Sequence, residues 1–164
     1  MKKLAIASVI SLLAASTAYA EPKVYVMGDL GFSDTDDSTN STFYALGGGV
    51  QFNKNIELEV AYNDFGDFDS GDIDFTSYSL GLNLGGEVAT GTSLYFVIGV
   101  EEVQAEGTVD LGFAEFDVDD NSTEGFLGIA AAFDVGNGFV IRPKIIGHDS
   151  GDVRTFSVGI AKYF

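Results

Sequence analysis

Between Val24 and the last residue, large apolar side chains recur at every second position in one stretch after another, and nowhere after Ala20 does the chain hold the roughly 18 consecutive apolar residues that a membrane-spanning helix needs. A period of two sends successive side chains to opposite faces. The pattern therefore predicts strands with two unlike faces and not an amphipathic helix, whose period is about 3.6. The end of the chain shows it most clearly: Phe156, Val158, Ile160 and Phe164 share one parity, while Thr155, Ser157, Gly159 and Ala161 share the other.

Eight such stretches can be followed, over Val24–Phe32, Thr42–Phe52, Ile56–Tyr62, Phe75–Leu84, Ser93 to about Val103, Thr123–Val135, Phe139 to about His148, and Val153–Phe164. In each, a bulky parity such as Leu58 and Val60, or Ile98 and Val100, alternates with a face of Gly, Ala, Ser and a few charges. The connections alternate as well. Long polar or acidic runs follow the first, third and fifth stretches, at 33–41, 63–74 and 104–122, and tighter ones follow the second, fourth and sixth, at 53–55, 85–92 and 136–138. Asn137-Gly138 is a strong hairpin signal, because both residues tolerate the positive φ of a two-residue turn.

Residues 1–20 stand apart. Met1-Lys2-Lys3 precedes a short apolar run, Leu4 to Ala15, and Ala18 and Ala20 stand at the minus-three and minus-one positions of a cleavage site. This predicts a secretory signal peptide over 1–20 and a single mature domain over 21–164. The chain carries 25 acidic and 8 basic residues, a formal charge of −17, and loss of Lys2 and Lys3 with the leader lowers it to −19. Such a balance argues against nucleic acid or acidic headgroups as electrostatic partners. With no Cys there is neither a disulfide framework nor a thiolate metal site, and one His argues against zinc.

A mature chain that spans a bilayer without helices must close into a barrel, where every backbone group is paired between strands. Parity by itself does not say which face is inside, and a soluble periplasmic lipocalin-like binder would turn the Leu, Ile, Val and Tyr face inward. Volume separates the two. The face opposite the bulky one is mostly Gly, Ala and Ser, which suits the cramped lumen of an eight-stranded barrel. Glu57, Glu59, Glu101, Arg142 and Lys144 also fall on it, and aromatics such as Phe32, Tyr44, Tyr62, Tyr78, Phe133 and Phe139 fall at stretch ends, as interfacial girdles do. The predicted fold class is all-β, an eight-stranded antiparallel transmembrane up-and-down β-barrel.

On these features the mature chain resembles the small eight-stranded outer-membrane proteins of the OmpX/Ail and OmpA-barrel type. The resemblance implies residence in the outer membrane, an assembly signal in Phe156, Val158, Ile160 and Phe164 read by the barrel-assembly machinery, and a monomer among lipid and lipopolysaccharide. Lys162 departs from it, since the third residue from the end is usually apolar in this class. No peptidoglycan-binding part of the full-length OmpA kind is expected after Phe164.

Three functional expectations follow. Glu57, Glu59, Glu101, Arg142, Lys144 and Arg154 are expected to form ion pairs across the lumen, because an unpaired charge in a narrow barrel costs several kcal/mol; the interior is then a plug, and a small-conductance porin is the alternative. The acidic connections, with Asp34, Asp36, Asp37, Asp64, Asp67, Asp69, Asp72, Asp74, Asp110, Glu115, Asp117, Asp119 and Asp120, read as solvated surface. Divalent cations or extracellular ligands bound through them are the sharper reading, with Asp67, Asp69 and Asp72 as a weak candidate calcium loop lacking its downstream Glu. Finally, His148-Asp149-Ser150 is similar to the His-x-Ser of lipid A deacylases. The match stops at two residues, and the parity of Arg142 and Lys144 points His148 at the lumen or its rim. The expectation is therefore a non-enzymatic protein with no catalytic residues and no cofactor, in an envelope-structural or surface-interaction role such as adhesion.

Overall fold

Alternation resolves into eight strands in the computed structural model, which describes residues 21–35, 41–67, 72–110, 115–148 and 153–164. They are β1 (Lys23–Thr35), β2 (Ser41–Asn53), β3 (Ile56–Asp67), β4 (Asp72–Ala89), β5 (Thr92–Asp110), β6 (Glu115–Gly136), β7 (Phe139–His148) and β8 (Val153–Tyr163). Each pairs antiparallel with its neighbour in sequence, and β1 pairs with β8 from Tyr25↔Tyr163 to Thr35↔Val153, so the sheet closes without a free edge. The Phe164 N–H donates to the Val24 carbonyl at 2.9 Å, carrying the closing seam to the end of the chain. The signal peptide predicted over 1–20 lies outside the described residues.

Tight turns gather at one end. The β6–β7 turn has positive φ at both Asn137 (54°) and Gly138 (74°), the geometry that makes Asn-Gly favourable there. Two-residue turns at Lys54-Asn55 and Thr90-Gly91 join β2 to β3 and β4 to β5. Residues 36–40, 68–71, 111–114 and 149–152, between the remaining strands, lie outside the described residues.

The bulky parity faces outward. Leu30, Leu46, Leu127, Ile129 and Ile160 are each about three-fifths exposed, at 65%, 66%, 60%, 59% and 59%. In a soluble protein that would be a defect; around a barrel it is the lipid-facing belt. The belt has a sharp outer edge. Outward positions turn polar at the paired residues Asp34 and Arg154, Asp64 and Thr76, and Glu102 and Thr123, while Tyr62, Tyr78 and Val100 sit one outward position below. Near the inner edge, Lys162 lies on the lipid parity but bends to the β6–β7 turn: its ammonium sits 4.4 Å from the Phe139 ring centroid and donates to the Asn137 carbonyl.

Several strands run well past the predicted limits. Residues expected as loop in 104–122 instead pair from Val103↔Ser122 to Asp110↔Glu115, and β4 extends from Asp72 to Ala89, into both flanking runs. Apolar alternation marks only the part of a strand that faces lipid. Beyond it the backbone still pairs, because antiparallel hydrogen bonding satisfies N–H and C=O groups whatever the side chains are.

Candidate functional site

Small residues on the inward parity let large polar ones cross the lumen. Gly159 is one example: a Cβ there would lie 1.7 Å from Asp29 Oδ1, so its hydrogen leaves the space the carboxylate occupies. Gly49 does the same for Tyr25, whose hydroxyl would be 2.6 Å from the added carbon. With that room, residues from β1, β2, β3, β4, β7 and β8 converge on one cluster.

Arg142 from β7 is its centre, with a side chain wholly buried. Its guanidinium lies 3.3 Å from Glu57 and 2.9 Å from Glu59, on β3. Lys144, two residues on and on the same face, contacts Glu59 at 2.9 Å and Asp29 at 2.8 Å. Neutral donors complete the shell of the two glutamates. Tyr25 donates to Glu59 at 2.9 Å, and Tyr163 and Gln51 donate to Glu57 at 2.9 Å each. Asn83 reaches both glutamates at 3.3 and 3.4 Å. The Arg142 carbon Cζ sits 5.3 Å from the Tyr25 ring centroid, and Tyr25 stacks on Tyr163 at 4.7 Å. Among the described residues, Asp29 Oδ1, Asn83 Oδ1 and Arg142 Nε have no hydrogen-bond partner.

A second cluster lies nearer the outer mouth. Glu101 on β5 accepts from Ser77 at 2.8 Å and meets His148 Nδ1 at 2.5 Å, while His148 Nε2 is 3.3 Å from the Thr155 hydroxyl. Phe65 presents a perpendicular ring to the imidazole at 5.0 Å. Between the two clusters is a polar cavity of about 50 Å³ that touches Asp29, Glu59, Lys144, Glu101 and His148, room for only a few waters. Larger spaces open at each mouth, about 310 Å³ above Glu101 and His148 and about 250 Å³ at the end bearing the tight turns.

Of the six residues expected in a lumen network, Glu57, Glu59, Arg142 and Lys144 meet one another. Glu101 does not join them and meets His148 instead. Arg154 requires correction: it is exposed and sits opposite Asp34 on the outward face, because even-numbered positions of β8 point away from the lumen. Its parity with Phe156 and Val158 already indicated this. Asp29, Tyr25 and Tyr163 were on the inward parity but not recognised as partners. The weak calcium candidates cannot be placed: Asp69 and the side chains of Asp67 and Asp72 lie outside the described residues, as do Asp149 and Ser150. Among the described residues, no three His, Asp or Glu side chains converge as metal ligands.

Comparison with known proteins agrees with this architecture. Residues 4–164 match the outer membrane protein beta-barrel domain family. No curated protein sequence matches the chain. Among solved structures, the N-terminal β-barrel domain of Pseudomonas aeruginosa OprF is 14% identical with a TM-score of 0.63, the match covering 87% of this chain and 96% of that one. Ail, the attachment invasion locus protein of Yersinia pestis, is 18% identical with a TM-score of 0.60, over 87% and 97% of the two chains. A major outer membrane protein of Thermus thermophilus is 11% identical with a TM-score of 0.69, over 88% and 100%. With a lipid-facing belt, a polar lumen and a family match along nearly its whole length, the chain belongs to the outer membrane protein β-barrel domain family, and it resides in the outer membrane.

Proposed function

We propose that this is a non-enzymatic outer-membrane protein whose lumen is plugged and whose acidic outer end serves the envelope surface. The observation that carries the plug is the contact of Arg142 with both Glu57 and Glu59 across the lumen. Eight strands leave an interior only wide enough for side chains. A guanidinium held by two carboxylates, with Tyr25 and Tyr163 stacked beside it, occupies that width. The test is conductance. Purified protein in a planar bilayer is expected to give no steady single-channel current, and a steady current abolished by Arg142→Ala would overturn the plug.

The enzyme alternative is disfavoured by the position of His148. Its ring nitrogens are directed at Glu101 and Thr155, inside the barrel, whereas a lipid A deacylase must present its base to lipid. Lipid A from overexpressing cells is expected to keep its mass; loss of an acyl chain dependent on Ser150 would reverse the reading.

Lipopolysaccharide is the surface partner favoured by location, bridged through divalent cations because the chain itself carries −17. The similar Ail has been crystallised with the heparin analogue sucrose octasulfate. The negative charge here argues against a sulfated polyanion and for a cationic or cation-bridged extracellular ligand. Assembly as a monomer, through recognition of Phe156, Val158, Ile160 and Phe164 by the barrel-assembly machinery, completes the proposal.

A further inference from the structure

Above the Glu101–His148 contact the polarity of the two faces reverses. Through the lipid belt the strands carry hydrocarbon outside and Gly, Ser and charges inside. At the outer end of β4 and β5 the outward register pairs are Thr76↔Gln104 and Asp74↔Glu106, while Phe75 pairs with Ala105 on the inward side and Val103 lies one inward position below. Polar outside and apolar inside is the pattern of a soluble barrel, and an eight-stranded barrel has room for side chains or for one small ligand. Here side chains leave a cavity of about 310 Å³, at the low end of the range that takes a small ligand, with Phe65, Phe75, Val103, Ala105 and Val153 in its wall. Phe75, Val103, Ala105 and Val153 are each half-buried, so part of their hydrocarbon is open to a molecule that enters. The polar groups at its floor are already engaged: Glu101 accepts from Ser77 and meets His148, whose other ring nitrogen meets Thr155. What the cavity leaves unmet is the cover of its hydrocarbon.

We propose that the outer mouth of the lumen binds a compact neutral aromatic molecule against Phe75 and Val103. The lining sets the ligand class. Phenylalanine rings at 65 and 75 favour an aromatic partner, which gains offset or edge-on ring contacts beyond its buried area. An anion is repelled by Asp120 and Glu124 on the β6 wall. A cation gains little, because the Glu101 side chain is wholly buried with both oxygens engaged, and Asp120 is exposed, where a charge pair contributes little. A long acyl chain does not fit either: the Glu101–His148 contact closes the floor, and the space beneath it is only about 50 Å³. The site is separate from the Arg142 cluster, so it stands whether or not the lumen conducts.

Indole is a suitable probe: it is compact and neutral, and because the chain has no Trp its fluorescence can be excited selectively. Titration of full-length folded protein in phospholipid nanodiscs, with empty nanodiscs subtracted, is expected to show saturable one-site binding of indole at millimolar concentration or below. Indole-3-acetate, the anionic counterpart, is expected to bind at least about tenfold more weakly, and tryptamine, the cationic one, within about fivefold of indole. Phe75→Ala is expected to weaken indole about fivefold, the loss of one aromatic contact. Val103→Asp, which places a charge in the apolar wall, is expected to abolish saturable binding, and Asp134→Asn, at the opposite mouth, to change nothing. Heat-modifiable gel mobility reports that each barrel has formed, and the two wall variants lie on different strands, so misfolding of one leaves the other to decide. No saturable binding of indole, unchanged affinity in a folded Phe75→Ala or Val103→Asp, equal binding of indole-3-acetate, or a preference for tryptamine above about fivefold would overturn the proposal.

Discussion

Replacing Arg142 by methionine removes one positive charge from a cluster whose ions are Asp29, Glu57, Glu59, Arg142 and Lys144, so its net charge goes from −1 to −2. Breaking a buried ion pair from one side costs about 3–5 kcal/mol, since the remaining charge keeps its desolvation penalty and loses its partner. Where in that range the variant falls depends on what the glutamates retain. Glu57 keeps donors from Gln51, Tyr163 and Asn83, and Glu59 keeps Lys144 and Tyr25. These place the expected loss near the lower bound, at about 3 kcal/mol. The chain has no Trp, so the measurement is urea-induced unfolding in phospholipid vesicles followed by far-ultraviolet circular dichroism. The double variant Glu57→Gln, Arg142→Met restores the cluster to −1 and is expected to recover at least about 1 kcal/mol relative to Arg142→Met alone. An Arg142→Met protein within about 0.5 kcal/mol of the parent, or a double variant no more stable than the single, would refute the reasoning that charge pairing holds this lumen together.

Lys144→Met is expected to cost more than Arg142→Met, about 5 kcal/mol, because Lys144 is the cation paired with Asp29 and Asp29 Oδ1 has no hydrogen-bond partner among the described residues; the same urea titration ranks the two variants. Gly159→Ala is expected to destabilise by about 1–3 kcal/mol by displacing the Asp29 carboxylate, and in an Asp29→Ala background the same change is expected to cost little, a coupling read from a double-mutant cycle. Tyr163→Phe removes one hydrogen bond to Glu57 and is expected to cost about 1 kcal/mol, with no conductance in planar bilayers. Deletion of Phe164 is expected to reduce the heat-modifiable fraction in outer membranes, and normal insertion without it would show that the last residue is not part of the assembly signal.

The barrel was readable because each of its requirements has a local signature. Alternation identified all eight strands and assigned Arg142, Lys144, Glu57 and Glu59 to one face, since side-chain direction in a strand depends only on whether a position is odd or even. Asn137-Gly138 disclosed its turn through the positive φ both residues adopt. The strand ends were less legible. Residues 104–110 and 115–122 read as loop because their outward positions are polar, yet they pair, since hydrogen bonding continues where the lipid contact stops. Arg154 is the opposite case: its even-numbered position in β8, shared with Phe156 and Val158, places it on the outward face whatever its charge.

What the sequence determined by itself is the set of faces: which residues meet lipid, which meet the lumen, and which small residues make room there. What only the tertiary structure decided is who meets whom across the lumen. Asp29 reaches Lys144 from two strands away around the closed sheet, Glu101 finds His148, and Glu124 has one oxygen unpartnered among the described residues. Those meetings depend on height along the barrel axis, which accumulates from the register of every strand pair and is fixed only when β8 closes on β1. Period and composition are properties of short segments, whereas that stagger is a property of the closed ring.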